Sequence, residues 1–208
     1  MSNIKIDYIF LTNILVCSIF CSCNTTESKS IDNLVDFVEN EDNNLITKVQ
    51  HGEYHFSLNY EPVELITLRG SVSIDDFKSN YPSNLNAYNE LEYYTFKIKN
   101  ERKPTRDAIS SIYIGDPEEI TSYIDFQIQD DIKLVQGTDT LYCSYLHKEV
   151  SEAISNELSY SLGFAKSAIK STDRKVLLKS NFAVIPDIIF NITDKSIKSI
   201  PALKITEI

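Results

Sequence analysis

Tryptophan is absent from this 208-residue chain, methionine occurs once and glycine only 5 times. The missing indoles remove the side chain on which sugar-binding modules most often stack their ligands, although Tyr can substitute. Positive charge is also scarce. There are 20 Lys and Arg against 30 Asp and Glu, for a formal net charge of −10 and a sequence pI near 4.8. Nucleic acid is thereby excluded as a partner, because its phosphates demand clustered basic residues. Anionic headgroups would repel the surface as well. No apolar run reaches the roughly 20 residues of a membrane-spanning helix. The sequence has no Gly-x-Ser-x-Gly element, no phosphate loop and no Cys-x-x-Cys pair. Ser167-Ala168-Ile169-Lys170 matches Ser-x-x-Lys but lacks the companion motifs that give that pattern meaning.

What is present begins at the N-terminus. Lys5 precedes an interrupted apolar stretch, Tyr8 to Phe20, which ends in Phe20-Cys21-Ser22-Cys23. Its length and flanks are those of an export signal. A large apolar residue, then small residues, then Cys resembles the lipobox of bacterial lipoproteins. With the abundance of Lys, Asn and Ile, the loose box is similar to those of Bacteroidota. The resemblance implies cleavage after Ser22, or after Phe20 if Cys21 is the processed residue. It also implies acyl chains such as palmitate on Cys23 and residence in the cell envelope, at the outer membrane. Residues 1–22 then form the signal peptide, 23–43 a flexible tether and 44–208 one folded domain. Several acyl chains on one Cys hold a protein to a bilayer far more firmly than the reversible grip of a single chain.

After such processing Cys143 is the one remaining thiol beside the acylated Cys23, so no internal disulfide forms. A domain of this size can bury enough apolar surface without one. Within the tether, Ile31, Leu34, Val35 and Val38 recur at helical spacing. From Leu45 the period changes to two. Tyr54, Phe56, Leu58 and Tyr60 alternate with polar residues, as do Tyr94, Phe96 and Ile98, and Leu158, Tyr160, Leu162 and Phe164. Tyr123 to Glu149 reads as a long hairpin, with Ile124, Phe126 and Ile128 on one face and the turn at Gln136-Gly137-Thr138-Asp139. Leu141, Cys143, Tyr145 and His147 alternate along its return strand. Val176 to Leu178, Val184 to Ile192 and Ile200 to Ile205 read as further strands. About eight or nine strands at short spacing predict a mainly β fold, a single immunoglobulin-like β-sandwich with a few short helices.

The candidate sites are sparse. His51 and His55 are four apart, but on extended chain that separates them by roughly 13 Å, so no metal site is expected. Asp75-Asp76, Glu118-Glu119 and Asp130-Asp131 are adjacent pairs whose side chains diverge on a strand. Asp139-Thr140-Leu141 resembles the O-glycosylation site of exported Bacteroidota proteins, which implicates Thr140. No catalytic residue and no cofactor is indicated. Three functions remain as expectations. The first is a membrane-tethered, non-enzymatic module that binds an envelope protein. The second is a glycan-binding module stacking sugars on Tyr81, Tyr88, Tyr93 or Tyr94. The third is a hydrolase with scattered residues.

Overall fold

The computed structural model describes residues 31–116, 118–150, 155–169, 172–179 and 185–203. Cys21 and Cys23, on which the lipobox resemblance rests, lie outside the described residues. Eight strands occur in chain order: β1 (Ile46–His51), β2 (Tyr54–Glu61), β3 (Leu91–Asn100), β4 (Ile132–Gln136), β5 (Asp139–Lys148), β6 (Glu157–Ala165), β7 (Arg174–Leu178) and β8 (Ile188–Ile192). The helices are α1 (Ile31–Glu39), α2 (Val63–Arg69), α3 (Ile74–Tyr88), α4 (Thr105–Ser110), a composite helix α5 over residues 120–131, and α6 (Asp194–Lys198). The molecule is mainly β, as its alternating runs predict.

The sandwich expectation is corrected. All eight strands hydrogen-bond into one sheet in the order β1-β2-β3-β6-β5-β4-β7-β8, every pair antiparallel. The sheet curls until β8 lies beside β1, where Thr47 Oγ1 donates to the Asn191 carbonyl at 2.9 Å. The result is a nearly closed barrel. Alternation of apolar and polar residues is the same in a barrel and a sandwich. What separates them is coiling and end-to-end pairing, which no local pattern encodes. Phe56 and Leu58, Tyr94 and Phe96, Tyr160 and Leu162, Leu134, Val176 and Phe190 fill the interior from six different strands.

Each end of the barrel is stoppered. At the Asn100 and Leu178 end, α4 contributes Ile109 and α5 contributes Ile124 and Ile128 to the core. The hydroxyl of Tyr160 donates to the Ile124 carbonyl at 2.9 Å. This overturns the predicted strand over Tyr123 to Gln129. The same residues carry a second period: Ile120, Tyr123, Ile124 and Ile128 are all buried, at i, i+3, i+4 and i+8. Burial on the helical period wins and leaves Phe126 71% exposed. The segment is an α turn (Ile120–Ser122), a π segment (Tyr123–Gln127) and another α turn (Ile128–Asp131). The hairpin shrinks to β4 and β5, turning at Gly137 with φ +60°.

At the other end, α1 buries Leu34 and Val38 against Leu45 and Leu65, with Tyr60 and Ile197 shared between this cluster and the barrel core. Residues 31–43, within the stretch read as a flexible tether, are therefore folded onto the barrel. Residues 200–203, predicted as strand, form only an isolated bridge at Leu203. Among the described residues no helix is long and apolar enough to cross a membrane.

One irregularity in β5 decides which of its side chains reach the surface. The pairing skips a residue: Cys143 faces Phe164 and Tyr145 faces Gly163. Ser144 is the extra residue of a β-bulge, its Oγ hydrogen-bonded to the Gly163 carbonyl at 3.2 Å. A bulge resets the parity of the strand. Cys143 points inward before it and Leu146 packs on the core after it, so Tyr145 and His147 face outward. The unbroken alternation that would put His147 on one face with Leu141 and Cys143 fails for this reason.

Candidate functional site

The outer face of β2, β3, β6 and β5 meets the helix pair α2–α3 in a cleft of about 770 Å³. Tyr88, Tyr93, Tyr94 and Tyr145 line it, Tyr94 with its ring turned into the barrel. Tyr88, at the end of α3, stands edge-on to Tyr93 of β3, with centroids 6.3 Å apart and planes at 77°. Tyr145 of β5 is 43% exposed. Gly163 provides the room for it, because a Cβ there would lie 3.0 Å from both the Tyr145 Cβ and Leu91 Cδ1. Burial, then the neighbouring Tyr88 and Tyr145, raise the pKa of the Tyr93 hydroxyl.

A charged group closes the same cleft. Glu61, at the end of β2, is only 4% exposed. Its Oε2 accepts from Arg69 Nη1 at 2.9 Å and its Oε1 from Thr95 Oγ1 at 2.8 Å. Burial raises the Glu61 pKa, and the Arg69 charge opposes that rise. His147 and Glu149 stand along the same outer face.

The cleft continues in both directions. Toward α1, a hollow of about 500 Å³ shares Glu61, Arg69, Thr95 and Glu149 and adds Val38 and Glu39. Toward α5, a hollow of about 420 Å³ shares His147 and Glu149 and adds Phe126, Leu146 and Val150. Glu149 lines all three. Together they form one groove running along the barrel, from the α1 end to the α5 end. By contrast, the hollow of about 670 Å³ at the β1–β8 seam has no aromatic wall.

The sequence-predicted residues are scattered relative to this groove. Tyr88 and Tyr93 line it. Tyr94 is 1% exposed inside the barrel and cannot meet a sugar; it donates to Glu92 Oε2 at 3.0 Å. Tyr81 is half-buried on α3, its ring 5.2 Å from that of Phe77. Thr140 is exposed at the start of β5. His51 and His55 lie across the β1–β2 hairpin, opposite Tyr54 and Gln50, and no metal-holding group of His, Cys, Asp or Glu occurs among the described residues. The Ser167 hydroxyl donates to Asp139. Cys143 is buried, which pushes its thiol up to about 11 and leaves it unreactive at neutral pH.

Two features escaped the sequence reading. Tyr145 and His147 reach the groove only through the bulge, and the one local hint was the apolar Leu146 out of phase with Cys143. The second is a buried ion cluster at the α1 end. Arg174 Nη2 binds Glu92 Oε1 at 3.0 Å, and Arg174 Nη1 binds Asp194 Oδ1 at 2.9 Å. Both Arg174 and Glu92 sit at inward positions of their strands, where the pattern predicts apolar residues. No family model, curated protein or solved structure matches this chain, so the groove stands on its own geometry.

Proposed function

We propose that this chain is a lipid-anchored, non-enzymatic binding module of the bacterial envelope, and that it holds a protein partner along the groove. The carrying observation is the continuity of that groove. It joins a tyrosine-walled cleft to exposed Phe126 and fully exposed Val150. Clustered exposed apolar side chains mark interaction surfaces, and Tyr and Arg are the side chains that most often anchor protein interfaces. The elongated shape suits a length of polypeptide. The lipobox at Phe20 to Cys23 supports the anchor. A hydrolytic role draws little support, because both oxygens of the buried carboxylate are engaged.

A photo-crosslinking residue in place of His147 tests this in living cells. One envelope protein is expected to be captured and identified. Its binding to the purified chain should fall at least about tenfold in Tyr145→Ala, a typical anchor loss. It should persist in Tyr142→Ala, whose ring lies outside the groove under Lys133. An unchanged affinity in Tyr145→Ala removes the reading.

The glycan reading keeps one specific support, the Tyr88–Tyr93 corner, and selective hits on a glycan array would favour it instead. Metabolic labelling with a fatty-acid analogue, comparing the parent with Cys23→Ala, tests the anchor. Equal labelling of the two would refute Cys23 as the acylated residue.

A further inference from the structure

Resting on that binding reading, we infer that the tyrosine corner of the cleft takes a positively charged side chain, a Lys or Arg of the partner. Three observations converge on it.

The first is the arrangement of the rings. Tyr88 and Tyr93 meet at 77° with centroids 6.3 Å apart, and Tyr145 stands beside them across Gly163. The face of an aromatic ring is electronegative and attracts a cation within about 6 Å. Tyr93 is buried at 9% exposure and backs the corner, so the faces open to a cation are those of half-buried Tyr88 and of Tyr145, 43% exposed.

The second is the charge left over in the cleft. Arg69 is committed to Glu61 at 2.9 Å, so that buried carboxylate is already compensated. Glu149 lines the same cleft and forms no ion pair among the described residues. It lies four residues of extended chain beyond Tyr145, opposite Ser159, so an ammonium or guanidinium group at the tyrosine corner would feel it as a favourable field from roughly 13 Å rather than as a contact partner. The whole chain, at −10, adds a field of the same sign. Such a field steers a basic partner toward the molecule.

The third separates this reading from a sugar. A stacked sugar also needs hydrogen-bond partners for its hydroxyls. The most buried acceptor in the cleft, Glu61, is taken up by Arg69 and Thr95. His147 and Glu149, also polar groups of the cleft, lie two and four residues along the chain from Tyr145, whereas a cation needs only the ring faces at the corner itself.

The test is ¹⁹F NMR on the full chain in detergent, labelled with 3-fluorotyrosine and assigned through single Tyr→Phe variants. The probes are N-acetyl-lysine methylamide, its norleucine counterpart and methyl glucoside. The lysine probe should move the Tyr88, Tyr93 and Tyr145 resonances and bind about two- to fivefold more tightly than the norleucine probe. That advantage should shrink as salt rises from about 0.02 to about 0.5 M. It should also shrink in Glu149→Gln and be lost in Tyr145→Leu, whose spectra elsewhere report an intact fold.

Equal binding of the two amino-acid probes overturns the inference, as does a response to methyl glucoside alone. Absence of any response to the lysine probe overturns it too. In each of those cases a partner captured at position 147 would leave the binding reading standing.

Discussion

Glu92 and Arg174 show most sharply how single residues set the terms of this fold. Both are inward-facing and nearly buried, 6% and 9% exposed. A buried ion pair contributes little net stability, because desolvation offsets the attraction, but removing one member strands the other. Arg174 keeps Asp194 if Glu92 is removed, so the costly change is Arg174→Met, which leaves the buried Glu92 carboxylate without its cation and should cost about 3–5 kcal/mol in chemical denaturation. The double variant Glu92→Leu/Arg174→Met should recover most of that loss; recovery of none would mean the pair is not coupled. Glu61 behaves differently. Burial raises its pKa in the folded state, so the folded chain binds that proton more tightly than the unfolded one. The contribution of Glu61 to stability therefore falls as pH climbs from the ordinary carboxylate range through the raised value. Between about pH 4 and pH 7, the wild type should lose more stability than Glu61→Gln, for ordinary carboxylates near 4.3. Denaturation midpoints at the two pH values measure this, and parallel losses would refute it.

At the scale of elements, β5 carries the most information. Its bulge at Ser144 lets Tyr145 face the groove while Leu146 returns to the core. Deleting Ser144 removes the extra residue and leaves every neighbour on its native face, so the protein should fold with a stability change of only about 1 kcal/mol, the size of an ordinary point-mutation effect. Deleting Ser161 from the regular strand β6 should do the opposite. A one-residue slip would turn Leu162 and Phe164 outward, and circular dichroism should report loss of the fold. Similar destabilisation by both deletions would contradict the bulge assignment. This contrast also explains what the sequence made legible. Regular strands such as β2, β3 and β6 announce themselves by strict alternation, and α1 by its Leu34 and Val38 spacing. The 123–129 stretch carries both periods at once, and only the barrel end, needing a plug at Ile124 and Ile128, decides between them. The tyrosine cleft was half legible: Tyr88 and Tyr93 stood among the aromatic candidates, whereas Tyr145 depended on a bulge that alternation alone conceals.

Over the whole molecule, the place where α1 begins constrains how an anchored domain would sit. If Cys23 is acylated, the eight peptide steps to Ile31 reach at most about 28 Å, even fully extended. Helix α1, starting there, is fixed to its end of the barrel by Leu34 and Val38. The link therefore holds the α1 end within about 28 Å of the bilayer, which biases that end toward the membrane. Strand β2 spans the distance between the ends, from Tyr54 beside the Gly52 turn to Glu61 near α1. At about 3.3 Å per step, the seven steps from Tyr54 to Glu61 separate the two ends by roughly 23 Å. The groove runs along this axis, so its Glu39 end would face the membrane and its Val150 end would face away. A nitroxide at Glu39→Cys should then be relaxed strongly by a paramagnetic lipid headgroup in vesicles carrying the acylated protein. One at Glu53→Cys, beside the far turn, should be relaxed weakly. Inserting about 20 Gly/Ser residues between Cys23 and Ile31 should erase that difference, since a flexible linker of that length spans roughly 25 Å on average and lets the barrel tumble. Equal relaxation at both sites without the insert would mean that the short link does not orient the barrel. The groove would then be open to approach from any side.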